Sequence, residues 1–232
     1  TLDASGRGAG QSGGTVKVLG NLVGLSGAAA VDVSGDVGGG EVLVGGNFQG
    51  AGPEQNAFRT FIGEDATISA DAISSGDGGR VIVWADDVTR YAGSITARGG
   101  VAGGDGGFAE VSGKNFLSFF DEGRVDLTAA AGSVGTLLLD PKNIEVTNGG
   151  GVTAATDVDE FGDTPAGTVT IKAITLQGTG ASIILQANNT ITIDEAIDMS
   201  GTPNASITLQ AGNSILVNQS LTTDGGDISV CQ

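Results

Sequence analysis

The chain has no histidine, one cysteine, four prolines and only ten basic residues in 232. Without histidine, Ser-His-Asp and Cys-His nucleophilic centres are excluded. Cys231 stands alone, so no intramolecular disulfide framework can form. Ten Lys and Arg against 27 acids leave a net charge of −17 and a pI of about 4.1. So few cations cannot build a phosphate-neutralising patch, which argues against nucleic acid or an anionic membrane as partner. No apolar run approaches the roughly 20 residues of a spanning helix. No secretory signal is visible either: Thr1 opens a polar, glycine-rich stretch with no initiator Met. Both ends therefore read as cut from a longer chain.

What the chain has in excess is glycine, 42 residues, more than twice the ordinary share of about 7%. There is no strict triplet, which excludes collagen. A 39% hydrophobic content with abundant Val, Ile and Thr argues against disorder. Glycine together with β-branched residues predicts many short strands joined by tight turns.

These strands repeat. Gly-Gly followed by an alternating strand occurs at Gly13–Val18, Gly39–Val44, Gly78–Val83 and Gly106–Val111, with a degenerate copy at Val134–Leu139. Aligning Val16, Val42, Val81, Ala109 and Leu137 gives spacings of 26, 39, 28 and 28. The long interval predicts an insertion around Pro53 to Thr60. A second strand type is read at Val31–Val33, Thr67–Ser69, Ser94–Thr96, Val125–Leu127 and Ile144–Val146. Further on, Ser182–Ala187 is echoed by Ser206–Ala211 and by Asp227–Val230, at spacings of 24 and 21. No stretch shows helical periodicity. Such periods indicate a solenoid. Propeller blades are longer, sandwiches lack the self-similarity, and the leucine-rich signature is absent. The expected fold is all-β: a right-handed parallel β-helix of about nine coils of 20–28 residues, roughly 40–45 Å long at about 4.8 Å per coil. Its inferred organisation is glycine-rich coils over 1–150, an acidic loop or transition over 151–166, and coils of the second style over 167–232.

The segments Asp77–Asp86, Tyr91–Gly100, Gly104–Lys114 and Gly135–Ile144 resemble the filamentous-haemagglutinin-like exoproteins of the two-partner secretion family. Most specific are Gly106-Gly-Phe-Ala-Glu-Val-Ser-Gly-Lys114 and Thr136-Leu-Leu-Leu-Asp-Pro-Lys-Asn-Ile144. The likeness is strongest over about residues 75–147. It implies a large secreted adhesin at the bacterial surface, an outer-membrane transporter partner, and a role in adhesion or biofilm with an unidentified receptor or glycan.

Candidate sites are few. Asp86, Asp87, Asp121, Glu122, Asp126 and Glu145 are read as outward acids, a solvated face rather than the catalytic groove of a polysaccharide-active β-helix. Asp157, Asp159 and Asp163 form the densest acid cluster, and their spacing allows a weak calcium site. Phe161 and Thr168 depart from the EF-hand pattern, which favours a plain acidic loop. The Asp77, Asp105 and Asp224 turns are expected to be structural. Trp84, Tyr91, Phe108, Phe116, Phe119 and Phe120 are expected to fill the core or cover corners, and Lys114 and Lys142 to be solvated. The sequons at Asn188, Asn204 and Asn218 are chance matches. The unpaired terminal strands suggest head-to-tail self-association.

Overall fold

A computed structural model describes residues 1–148 and 168–232. The chain is all-β, 46% strand and 4% helix, and every pairing among its described strands is parallel. Parallel sheets of this kind are consistent with a parallel β-helix. The far-UV circular-dichroism spectrum is accordingly expected to be β-dominated. A helix content above about a quarter, approaching the third of ordinary domains, would contradict the fold.

The longest sheet has eight strands in chain order: Thr15–Val18, Glu41–Val44, Arg80–Ala85, Phe108–Gly113, Thr136–Leu139, Ser182–Ala187, Ile207–Ala211 and Ile228–Cys231. One inward row runs Val16–Val42–Val81–Ala109–Leu137–Ile183–Ile207–Ile228. This is the alignment expected from the Gly-Gly repeat, joined to the later Ser-Ile repeat in one ladder. From Val42 to Ile207 every member is fully buried. Among the described residues this sheet has eight strands, which at about 4.8 Å per step span roughly 34 Å.

Most repeats carry three strands, within the two or three expected of a β-helix coil. A five-stranded sheet pairs Leu2–Asp3, Ala30–Asp32, Thr67–Ser69, Ser94–Thr96 and Arg124–Asp126. A further sheet pairs Leu22–Leu25, Arg59–Ile62, Val88–Tyr91 and Phe116–Phe119. Ile144 belongs to neither: Asn143–Val146 lies in a third-face sheet of spatial order Val169–Ile171, Asn143–Val146, Thr190–Ile193, Ser214–Val217. The strand Val169–Ile171 thus returns on the far side of Asn143–Val146 and packs beside Phe116–Phe119. The short helix Ala173–Gln177 follows, burying Ala173 and Leu176 and packing on the strand Ile197–Pro203. Sequence periodicity misses this helix because five residues are too few to carry a period. Among the described residues no helix is long and apolar enough to cross a membrane.

The Gly-Gly corners have a steric cause. A Cβ on Gly39 would lie 1.9 Å from the Ala70 carbonyl oxygen, and one on Gly79 would lie 2.1 Å from that of Gly40. Corner and neighbouring rung therefore approach more closely than any side chain allows. Asp77 accepts the Asp105 N–H at 2.8 Å, and Asp105 accepts the Ser133 N–H at 2.7 Å. These two acids serve the turn ladder. Another corner repeats an Asx turn: Asp3, Asp32, Asp126 and Asp198 each accept the N–H two residues on, from Ser5, Ser34, Thr128 and Ser200. Buried Thr60 and Thr89 donate their hydroxyls to the Trp84 and Ser112 carbonyls at 2.6 Å, so neither leaves an unsatisfied polar group.

Candidate functional site

The feature most able to do chemistry lies on the outer face of the long sheet. The long repeat interval comes from an insertion, as expected, but it runs from Gly45 to Phe58, and Arg59–Ile62 is already strand. This segment folds back as a strap across the sheet. Its path needs left-handed backbone at Gly45, Gly50, Gly52 and, unusually, at Gln49 with φ of 52°. A non-glycine residue held there marks a conformation imposed by its contacts.

Those contacts are specific. Asn47 caps the short 3₁₀ turn Phe48–Gly50 through its own side chain and also donates to Glu54 at 2.8 Å. Lys17 donates to the other Glu54 oxygen at 2.8 Å. These bonds, that from Lys17 first, hold the Glu54 carboxyl down to about 2. Gly50 sits against the indole of Trp84, where a Cβ would come within 2.6 Å of the ring. Phe48 meets Phe108 edge-on at 5.9 Å, with the Arg80 guanidinium over both rings. Leu43, Ile82 and Trp84 form a small apolar cluster beneath, with Phe108 at its side.

Under the strap the outward row reads Lys17–Leu43–Ile82–Glu110–Leu138–Ile184–Thr208–Ser229. Glu110 is an acid set between isoleucine and leucine, and it is fully buried. The Gln49 N–H donates to both of its oxygens, at 3.1 and 3.2 Å. The Gln49 side chain donates to Gln186 at 2.9 Å, tying the strap to a strand two rungs further on. Buried Ser112 accepts the Asp140 N–H at 3.1 Å, and the buried Asp140 Oδ1 has no hydrogen-bond partner among the described residues. Burial raises the Glu110 carboxyl to about 7. The Gln49 N–H and Ser112 oppose that rise, the Asp140 charge adds to it and Arg80 offsets it. Burial alone raises Asp140 to about 6. Two neighbouring acids are therefore lifted toward neutrality, the condition under which carboxyls exchange protons at physiological pH.

Sequence reading passed over both acids. The available signal was an acid at an outward position next to Ile82 and Leu138, combined with an insertion long enough to cover it.

The acids that the sequence did single out lie elsewhere. Asp86 accepts from Trp84 Nε1 and Asn56, both at 3.1 Å. Asp87 pairs with Arg59 at 3.2 Å, Asp121 with Lys172, and Asp126 with Thr128 and, at 4.0 Å, Arg98. Glu122 and Glu145 are half-buried on separate elements. The structure does not gather these six into one groove. Asp157, Asp159 and Asp163 lie outside the described residues, as does the 151–166 segment. Among the described residues no group of three or more acids, Cys or His could hold a metal.

Phe116, Phe119, Phe120 and Tyr91 are buried, with the Tyr91 and Phe119 rings in tilted contact, 4.8 Å apart at 49°. Trp84 and Phe108 instead belong to the outer face beneath the strap. Lys114 and Lys142 are exposed.

A second surface is an open groove of about 710 Å³ along the stacked Gly-Gly corners, walled by Glu41, Arg80, Phe108 and Asp105. Its floor offers no free backbone donor at Gly14, Gly40, Gly79, Gly107 or Gly135, because each N–H is bonded within the ladder. No family model matches the chain, and no curated protein sequence matches it.

Proposed function

We propose that this chain is a right-handed parallel β-helix serving as a non-enzymatic shaft segment of a secreted bacterial surface adhesin. The parent protein would be of the filamentous-haemagglutinin-like, two-partner secretion kind. The observation that carries this reading is the uninterrupted inward row from Val16 to Ile228, one apolar residue from each of eight strands. Parallel strands joined in a constant three-strand order favour a right-handed connection. Each strand of the long sheet pairs only with its neighbours, so such a stack lengthens without a change of design, which suits a stalk. The sequence likeness over residues 75–147 adds the adhesin family, the outer-membrane transporter partner and the extracellular location. Negative-stain images are expected to contain short rods. A compact spherical particle would overturn the shaft reading, and flanking gene sequence without further repeats would overturn its place in a longer stalk.

A second reading, a subunit of a self-assembling filament, is favoured by the end strands. Ile228 and Val230 are 46% and 50% exposed, and Leu22 at the other end is 51% exposed. The first rung carries Asp3, with Arg7 and Lys17 already paired to Asp32 and Glu54, and the last carries Asp224 and Asp227, so backbone pairing rather than opposite charge would join the ends. Unpaired edges of this kind invite strand addition. With reductant present to exclude a Cys231 disulfide, light scattering is expected to report association that grows with salt, as repulsion from the −17 charge is screened over about 10 Å at 0.1 M. A strict monomer at low and moderate salt would remove the filament reading and leave the shaft.

A further inference from the structure

We propose that the Gly45–Phe58 strap is a proton-controlled cover: closed over Glu110, Asp140 and Trp84 in mild acid, and lifted from them at neutral to alkaline pH. The strap closes off the Glu110 carboxyl, which is fully buried between Ile82 and Leu138. The Gln49 N–H donated to it, made from a left-handed residue, favours the ionised carboxyl, but the cost of burying the charge outweighs that bond. The turn Phe48–Gly50 is further tied to that face by the Gln49–Gln186 amide bond, the Phe48–Phe108 contact, the Arg80 guanidinium over Phe48 and the seating of Gly50 on the indole. The flanks of the strap are held separately, by Arg80–Asn47, Lys17–Glu54 and Asn56–Asp86, so the turn can lift while they stay in place.

The charges facing Glu110 are few. Asp140 approaches from the next rung and Arg80 from the preceding one, where Arg80 is engaged by Glu41 at 2.8 Å and by Asn47 at 3.4 Å. On the strap, Glu54 is neutralised by Lys17, and Asp86 is bound to Trp84 and Asn56. The Ser182–Ala187 strand contributes only the uncharged Gln186. Among the described residues no cation is bonded to Glu110 or Asp140 in the closed arrangement, so ionising both beneath the strap places two like charges in a dry site. Opening hydrates them.

The sign follows from linkage. Closed, Glu110 titrates at about 7 against an ordinary 4.5, and Asp140 at about 6 against 3.8. Groups raised in this way favour the closed form fully below their ordinary values, and that contribution is lost as pH rises through the raised ones. Within that window each ionising group shifts the open-to-closed ratio about tenfold per pH unit.

Trp84 is the only tryptophan and lies under the strap, so its fluorescence reports closure directly. Emission wavelength and acrylamide quenching are measured from pH 5 to 8.5, with far-UV circular dichroism as the control for the sheets. The expected result is a reversible red shift and a several-fold rise in quenching across neutrality at constant β-signal. Glu110→Gln is expected to lose the part of the profile near pH 7, since the amide carries no charge at any pH, and to keep only the Asp140 contribution below about pH 6. Gly50→Ala, whose Cβ would strike the indole, supplies the open reference and is expected to be exposed already at pH 5. Trp84 equally protected at pH 5 and 8.5, or a Glu110→Gln profile identical to wild type, would overturn the proposal. Should Glu110→Gln fail to fold, a wild-type signal at pH 8.5 that does not approach that of Gly50→Ala overturns it as well.

Discussion

Val81→Asp is expected to unfold the chain or shorten its ordered length, whereas Arg80→Asp, one residue earlier, leaves the fold standing. Val81 is fully buried, paired between Val42 and Ala109 in the inward row. A carboxylate there meets only apolar neighbours, and burying it unpaired costs several kcal/mol, a large part of a typical domain's total of about 5–15 kcal/mol. Arg80 points outward, bridged to Glu41 and stacked over Phe48 and Phe108. Replacing it with Asp removes that bridge and sets like charges side by side, a loss of about 1–2 kcal/mol. Full tolerance, which outward orientation alone would suggest, is not expected. Denaturant midpoints of the two variants check the contrast. Equal losses would mean that the strand sits one residue out of register, because such a slip exchanges its faces.

The second large effect falls on glycine. Gly79→Ala is expected to lose about 2–3 kcal/mol or more, as overpacking against a fixed neighbour does. Its added Cβ would lie 2.1 Å from the Gly40 carbonyl oxygen and 2.9 Å from the Ala70 side chain. That carbonyl accepts the Arg80 N–H at 2.9 Å, so the rungs must part before it can yield. Gly201→Ala is the control. Nothing lies within 4 Å of its Cβ direction and its φ is not left-handed, so a change within about 0.5 kcal/mol is expected. Thermal melts of the two variants measure the difference. A Gly79→Ala protein as stable as Gly201→Ala would show that the Gly-Gly pairs answer to something other than close approach of the rungs.

The legible and illegible parts of the fold divide along physical lines. Val16, Val42, Val81, Ala109 and Leu137 could be aligned because a half-buried strand alternates and glycine punctuates each repeat. The strands Val88–Tyr91 and Phe116–Phe119 could not be read so easily. All four residues of each are buried, which erases the alternation, and they follow the preceding strand after two residues. The Asx corners were not legible: Asp32 and Asp126 fall within stretches that read as strands, and the Ser34 and Thr128 N–H groups they accept gave no periodic signal. The helix Ala173–Gln177 packs on the strand Ile197–Pro203, an interruption of the strand series that local pattern cannot announce.

By itself the sequence determined the strand chemistry, the inward register of the long sheet and the position of an insertion, because each depends on residues close together in the chain. Only the tertiary structure decided what that insertion does. The Glu110 carboxyl lies 61 residues from the Gln49 N–H that meets it, and Gln186 lies 137 residues from the amide that reaches it. Whether an outward acid is solvated or buried depends on what folds over it, and the rungs of a parallel stack bring distant segments together at a spacing that alternation within one strand cannot encode.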